Sequence, residues 1–247
     1  RITVINWFDR ILHAEFVVSS SGNVLAYQSQ PLHEDLGAEL QALPGVVKDH
    51  GVAALRFVHL QYEDKQLGLK AYDPPPNGQY SFDVLDRPLQ EAGHELFHSA
   101  DPVVFVSNNF ALHFGKKTGD TIELDTPSGR MRFRVVGMVA DFANPQGIIY
   151  VSRELYKKLW HDPLVNLFGV KLETGVDREK MRQLIDSRFG KSRSLVVTSF
   201  AELREALFKS IDQGFEYLHA IEAAALLVGL LGLLNTLLIS VMERMRE

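Results

Sequence analysis

Residues 120–142 read DTIELDTPSGRMRFRVVGMVADF: two runs rich in β-forming residues on either side of Pro127-Ser128-Gly129, the composition of a hairpin turn. In the second run Arg132 and Arg134 fall on one face and Met131, Phe133 and Val135 on the other, the alternation of a strand with one wet and one dry face. Working outward, DPVVFVS (101–107) and GIIYVS (147–152) add two more strand runs, so the middle of the chain is β-rich. Upstream, AEFVVSSSGN (14–23) gives a short strand over Phe16 to Val18. PLHEDLGAELQALPG (31–45) gives a helix with Leu32, Leu36, Leu40 and Leu43 on one face, ended by Pro44-Gly45. VAALRFVHLQYEDKQLGLKAYD (52–73) gives two strands around the charged turn Glu63-Asp64-Lys65. Downstream, the helix in SRELYKKLWHDP (152–163) leads to a strand–helix–strand–helix rhythm in NLFGVKLE, VDREKMRQLIDSRFG, SLVVTS and FAELREALFKSIDQGFEYLHAI. Two stretches of mixed helix and strand that flank a β-rich middle imply an α+β fold in which one α/β lobe is interrupted by a β-rich insertion.

The 247 residues, 46% hydrophobic and 23% charged, suffice for one or two buried cores. The net charge of −5 is spread along the chain with no basic run, which excludes a phosphate backbone as partner and so nucleic acid. The absence of cysteine excludes disulfides and thiolate metal sites. Arg1 leads directly into ITVINWFDRIL, where Ile2, Ile5, Phe8 and Leu12 recur at helical spacing; this predicts an amphipathic stalk over 1–14 and a start cut from a longer chain.

From Ala223 to Met242, AAALLVGLLGLLNTLLISVM, twenty residues pass without a charge. At 1.5 Å rise per residue, such a helix matches the hydrocarbon thickness of a bilayer, about 30 Å. Arg244 and Arg246 follow the span, whereas only Lys209 precedes it within fifteen residues, which predicts a cytoplasmic C-terminus and an extracytoplasmic remainder. Within the span Gly229, Gly232, Asn235 and Ser240 are small or polar residues of the kind that face a neighbouring membrane helix. Nothing but Gly214 interrupts the helix before the span, so a stalk continuous with it is expected.

One motif spells a chemistry. GHELFHSADP (93–102) holds His94-Glu95-x-x-His98, two imidazoles at i and i+4 with a carboxylate beside them, which as a zinc site would make Glu95 the general base of a membrane-anchored zinc-dependent hydrolase. The helix that would carry it runs only from Pro88 to near Ala100 and contains Gly93, and the third histidine of the longer motif is missing, with Asp101 three residues past His98. GKKTGD (115–120) is refused as a phosphate loop because Phe110 stands where a glycine is required, and reads as a turn. No nucleophile elbow occurs, and His13, His33, His50, His59, His113, His161 and His219 are scattered singly. Leu155, Leu159 and Trp160 are spaced as a helix core face. No catalytic residue and no cofactor is assigned.

AAALLVGLLGLLNTLLISVMERMRE resembles the second membrane helix of the FtsX-like permeases, the membrane subunits of MacB-type ABC transporters, with the Leu-Asn-Thr-Leu-Leu core at 234–238 and the Arg-rich Glu-Arg-Met-Arg-Glu exit at 243–247. The stretch from Pro102 to Trp160 is similar to the same family's extracytoplasmic domain in its V-V-x-V-S strand, G-D-T turn, R-F-R-V-V-G strand, Asp141-aromatic pair and S-R-x-x-Y helix. The resemblance implies a porter-like split β-α-β lobe (15–60 and 165–198) with an inserted β-rich lobe (61–164), a stalk helix (199–219), a membrane helix (220–242) and the start of a cytoplasmic segment (243–247). It also implies a bacterial inner-membrane location with residues 1–219 periplasmic, and an exit formed by Glu243, Arg244, Arg246 and Glu247. The implied partners are a separate cytoplasmic ABC ATPase, a second permease copy or subunit, and a periplasmic protein or a lipid or lipoprotein substrate.

Overall fold

The computed structural model describes residues 14–20, 30–75, 78–141, 144–190 and 193–245. Residues 1–13 of the predicted N-terminal stalk, Arg246 and Glu247 lie outside them. The chain divides into two compact units, Arg1–Phe200 and Ala201–Glu247.

Eleven strands are described: β1 (Phe16–Ser19), β2 (Leu32–His33), β3 (Val52–Tyr62), β4 (Lys65–Tyr72), β5 (Val103–Ser107), β6 (Thr121–Thr126), β7 (Gly129–Val139), β8 (Ile148–Ser152), β9 (Leu164–Val165), β10 (Leu167–Val170) and β11 (Val196–Ser199). The helices are α1 (Asp35–Gln41), α2 (Leu89–His98), α3 (Asn108–Phe114), α4 (Arg153–Trp160), α5 (Arg178–Ile185) and α6 (Phe200–Arg244), with a π-helical turn at Asp186–Gly190. Nine strands form one sheet in the order β11-β1-β10-β3-β4-β8-β5-β7-β6, and β2 pairs with β9 separately. The β4/β8 and β5/β7 pairs are parallel; the others are antiparallel.

The residue pattern accounts for this layering. In β7 the alternation holds: Phe133 and Val135 are buried while Arg132 and Arg134 are exposed. The neighbouring VVFVS and IIYVS runs do not alternate because both faces of β5 and β8 are covered, as continuous apolar strands require. On one face Val104, Val106, Ile149 and Val151 pack with Phe110 of α3 and Tyr156 and Leu159 of α4. On the other, Val103, Phe105, Ile148 and Tyr150 pack with Ala92 and Leu96 of α2. A third core joins Phe16, Val18, Phe168, Val170 and Val197 to Leu36 and Leu40 of α1 and Met181 and Ile185 of α5. β3 spans the boundary: Val52–Leu55 pair with β10, while Leu55–Tyr62 pair with β4.

Helix starts follow from side-chain acceptors. Ser107, Ser152 and Asp177 accept hydrogen bonds from backbone N–H groups in the first turns of α3, α4 and α5, which otherwise lack partners. The Pro127-Ser128 turn closes the β6–β7 hairpin, with Gly129 at φ +108°, and the G-K-K-T-G-D stretch is a turn in which Lys117 N donates to Asp120 Oδ2 at 2.9 Å. Both expected ends of α1 shift, and Leu43 falls just past its C-cap at Ala42 while still packing in the core. Leu32 lies outside α1, which begins at Asp35, because Leu32 and His33 are drawn into β2 against Leu164–Val165.

Candidate functional site

The H-E-x-x-H sits on α2 as expected, but its parts are otherwise engaged. Ala92, Gly93 and Leu96 face the core, whereas His94 and His98 are exposed, their ring centroids 4.7 Å apart. The Glu95 carboxylate accepts from Arg87 Nη1 at 2.6 Å through one oxygen and from Arg134 Nη1 at 2.7 Å through the other. Burial pushes this carboxyl up, but the hydrogen bonds and charges of Arg134 and Arg87 outweigh it and hold it below its ordinary value. A carboxylate with both oxygens committed to guanidinium groups is a poor general base. Among the described residues no group of three or more metal-ligating side chains converges, so a third zinc ligand is also lacking. The geometry does not support the zinc hydrolase.

Polar networks that no motif announced tie the sheet's two halves together. Arg56 of β3 donates to Asp162 Oδ2 at 2.8 Å and to Asn166 Oδ1 at 2.9 Å, and the same Asn166 oxygen accepts from the backbone N–H of Phe57. Tyr156 of α4 donates to Asp162 Oδ2 at 2.8 Å. Burial and then the Asp162 charge push the Tyr156 phenol far above its usual range. Burial raises Asp162, yet the Leu164 N–H, the Tyr156 hydroxyl and Arg56 together hold it low. Nearby, the buried Arg153 donates to Glu34 at 2.8 Å and to Pro163 O at 3.1 Å and lies 3.6 Å from Asp73, while Lys157 reaches Glu34 at 2.9 Å. Glu34 is pushed up by burial but held low by its bonds to Lys157 and Arg153.

Deeper still, the Lys70 ammonium meets Asp141 Oδ2 at 2.5 Å, and Tyr150 donates its hydroxyl to the same oxygen. Lys70 and Asp141 are 8% and 1% exposed, so each charge depends on the other for solvation. Sequence reasoning noted Asp141 only as part of an Asp-aromatic pair; a lysine inside the apolar run LGLKAY was the signal that could have found its partner.

α6 is a single 45-residue helix. Its segment Asp212–Leu238, 27 residues with mean hydropathy 2.0, is long and apolar enough to cross a membrane, and none of that apolar stretch is buried. Gly229 and Gly232 open onto empty space, Asn235 is exposed, and Thr236 Oγ1 donates to Gly232 O at 2.9 Å, keeping its hydroxyl satisfied within the helix. Glu243 and Arg244 form its last turn.

A nine-stranded sheet covered by helices on both faces, joined in sequence to one helix long and apolar enough to cross a membrane, defines an α+β domain with a candidate membrane helix. The chain belongs to the MacB-like periplasmic core domain family, whose model matches residues 3–188. It is 27% identical over 126 residues to an uncharacterized ABC transporter permease protein of Mycobacterium tuberculosis, a match that covers 51% of this chain and 15% of that protein. Two solved structures share the fold. The periplasmic region of MacB from Actinobacillus actinomycetemcomitans aligns with TM-score 0.53 and 14% identity over 81% of this chain and 95% of that one. The extracellular domain of the noncanonic ABC-type transporter YknZ from Gram-positive bacteria aligns with TM-score 0.50 and 16% identity over 75% and 99%. An extracytoplasmic domain of an ABC transporter permease with one candidate membrane helix fits the bacterial inner membrane.

Proposed function

We propose that this chain is the part of an ABC permease that carries ATP-driven motion from the membrane to a substrate or partner on the outer side. ATP is hydrolysed by a separate cytoplasmic subunit, and the permease works as a homodimer or with a second permease subunit. The outer domain, including its porter-like and inserted lobes, hands over a lipid, lipoprotein or other cargo or engages a periplasmic protein. Gly229, Gly232 and Asn235 pack α6 against a neighbouring membrane helix, and the residues after it meet the cytoplasmic machinery. This domain itself is not an enzyme.

The observation that carries this reading is the unbroken run of α6 from Phe200 to Arg244, since a continuous helix transmits displacement along its axis, whereas a jointed one absorbs it. Proline at Glu205, an exposed position, removes one backbone donor and kinks the helix at a cost of about 3 kcal/mol without disturbing a buried side chain. In the complete transporter, Glu205→Pro should leave ATP turnover running while transport falls at least tenfold, with Glu205→Ala as the neutral control. Wild-type transport by the proline variant would rule α6 out as the transmitter.

A further inference from the structure

The two histidines left over from the motif are placed for a different task. Positions 94 and 98 are one turn apart on the outward face of α2, and the 4.7 Å between their ring centroids matches two imidazoles bound side by side to one ion. Metal–nitrogen bonds of about 2.0 Å at adjacent coordination positions put the two nitrogens roughly 3 Å apart, a spacing suited to histidines at i and i+4 on one helix face. Neither ring is hydrogen-bonded to a described residue, whereas His33, His50 and His219 lie beside carboxylates and His161 contacts Ser128. Arg87 and Arg134 share the Glu95 carboxylate, and Arg87 also lies 3.9 Å from Glu91, so on and beside this helix two carboxylates balance the two guanidinium groups.

We propose that His94 and His98 form a two-imidazole surface clamp for one divalent transition-metal ion, with water in the remaining positions. Two neutral imidazoles with open cis positions favour Cu(II) over Ni(II) and Zn(II), following the usual order of divalent affinities. The clamp is a binding site without hydrolysis, since Glu95 stays locked between its arginines. It is independent of the transport role proposed above.

The test is a Cu(II) titration of the 247-residue chain in detergent, followed by calorimetry and electron paramagnetic resonance at pH 7.5. The expected result is one ion per chain with hyperfine structure from two imidazole nitrogens. His94→Ala and His98→Ala should each weaken binding at least tenfold, and His113→Ala should not. Both side chains are exposed, so the variants should keep the wild-type circular dichroism, and His94→Gln with His98→Gln provides a second pair should either alanine variant misfold. Wild-type affinity in both histidine variants, or a nitrogen pattern unchanged by them, would show adventitious copper elsewhere and overturn the proposal.

Discussion

Gly93 shows how a residue's meaning reverses between string and structure. Read along the sequence, a glycine inside a ten-residue helix is a defect costing about 1 kcal/mol relative to alanine. In the structure, a Cβ at this position would stand 2.4 Å from Cγ of Tyr80, whose ring lies on the helix and stacks on Phe97 with centroids 5.7 Å apart. Gly93→Ala should therefore destabilise the protein by roughly 1–3 kcal/mol despite its better helix propensity, because the base of a buried ring has little room to move. Urea unfolding decides the point, and a net gain in stability would show that the ring yields. Nothing near Gly93 in the sequence names Tyr80 as its neighbour, and so the glycine was legible while its reason was not. The same holds for Lys70 and Asp141, 71 positions apart in the chain, which become one buried ion pair only in the fold.

At the scale of elements, the most readable pieces were those governed by local pattern: the β6–β7 hairpin from its Pro-Ser-Gly turn, the wet and dry faces of β7, and α6 from its uncharged run. Ends set by tertiary pairing were less readable, as with Leu32, and so was the π-helical turn after α5. α2 was readable as a helix, but its charge anchoring was not, because Arg134 comes from β7. That anchoring has a pH signature. Glu95 titrates below its ordinary value of 4.5 in the folded protein, so its pairs contribute stability that is fully present above that value and is lost as pH falls through the lowered one. The urea midpoint of the wild type should drop between pH 5 and pH 3 by more than that of Glu95→Gln, whose amide does not titrate. Parallel slopes for the two proteins would mean that other carboxylates dominate acid unfolding.

Over the whole molecule, the chemistry that looked most explicit, at His94 to His98, proved to be a pair of exposed rings beside an occupied carboxylate. The plain apolar end and the Asp101-to-Trp160 patterns pointed to the right family. The nine-strand order was beyond sequence reading, since register between distant strands leaves no local trace. Although three cores serve residues 14–200, β3 belongs to two of them, and the Arg56 and Arg153 networks link the same halves. We therefore expect this unit to melt in one calorimetric transition with matching calorimetric and van't Hoff enthalpies; two separated peaks would show the lobes unfolding independently. The placement of β1 has a consequence for biogenesis. Its two neighbours come from the far end of the domain, with Phe16 facing Val170 on one side and Ser199 on the other. Because β1 is synthesised before either neighbour, both of its edges stay bare until nearly the whole of the described domain has followed, so holdase protection matters most for this strand.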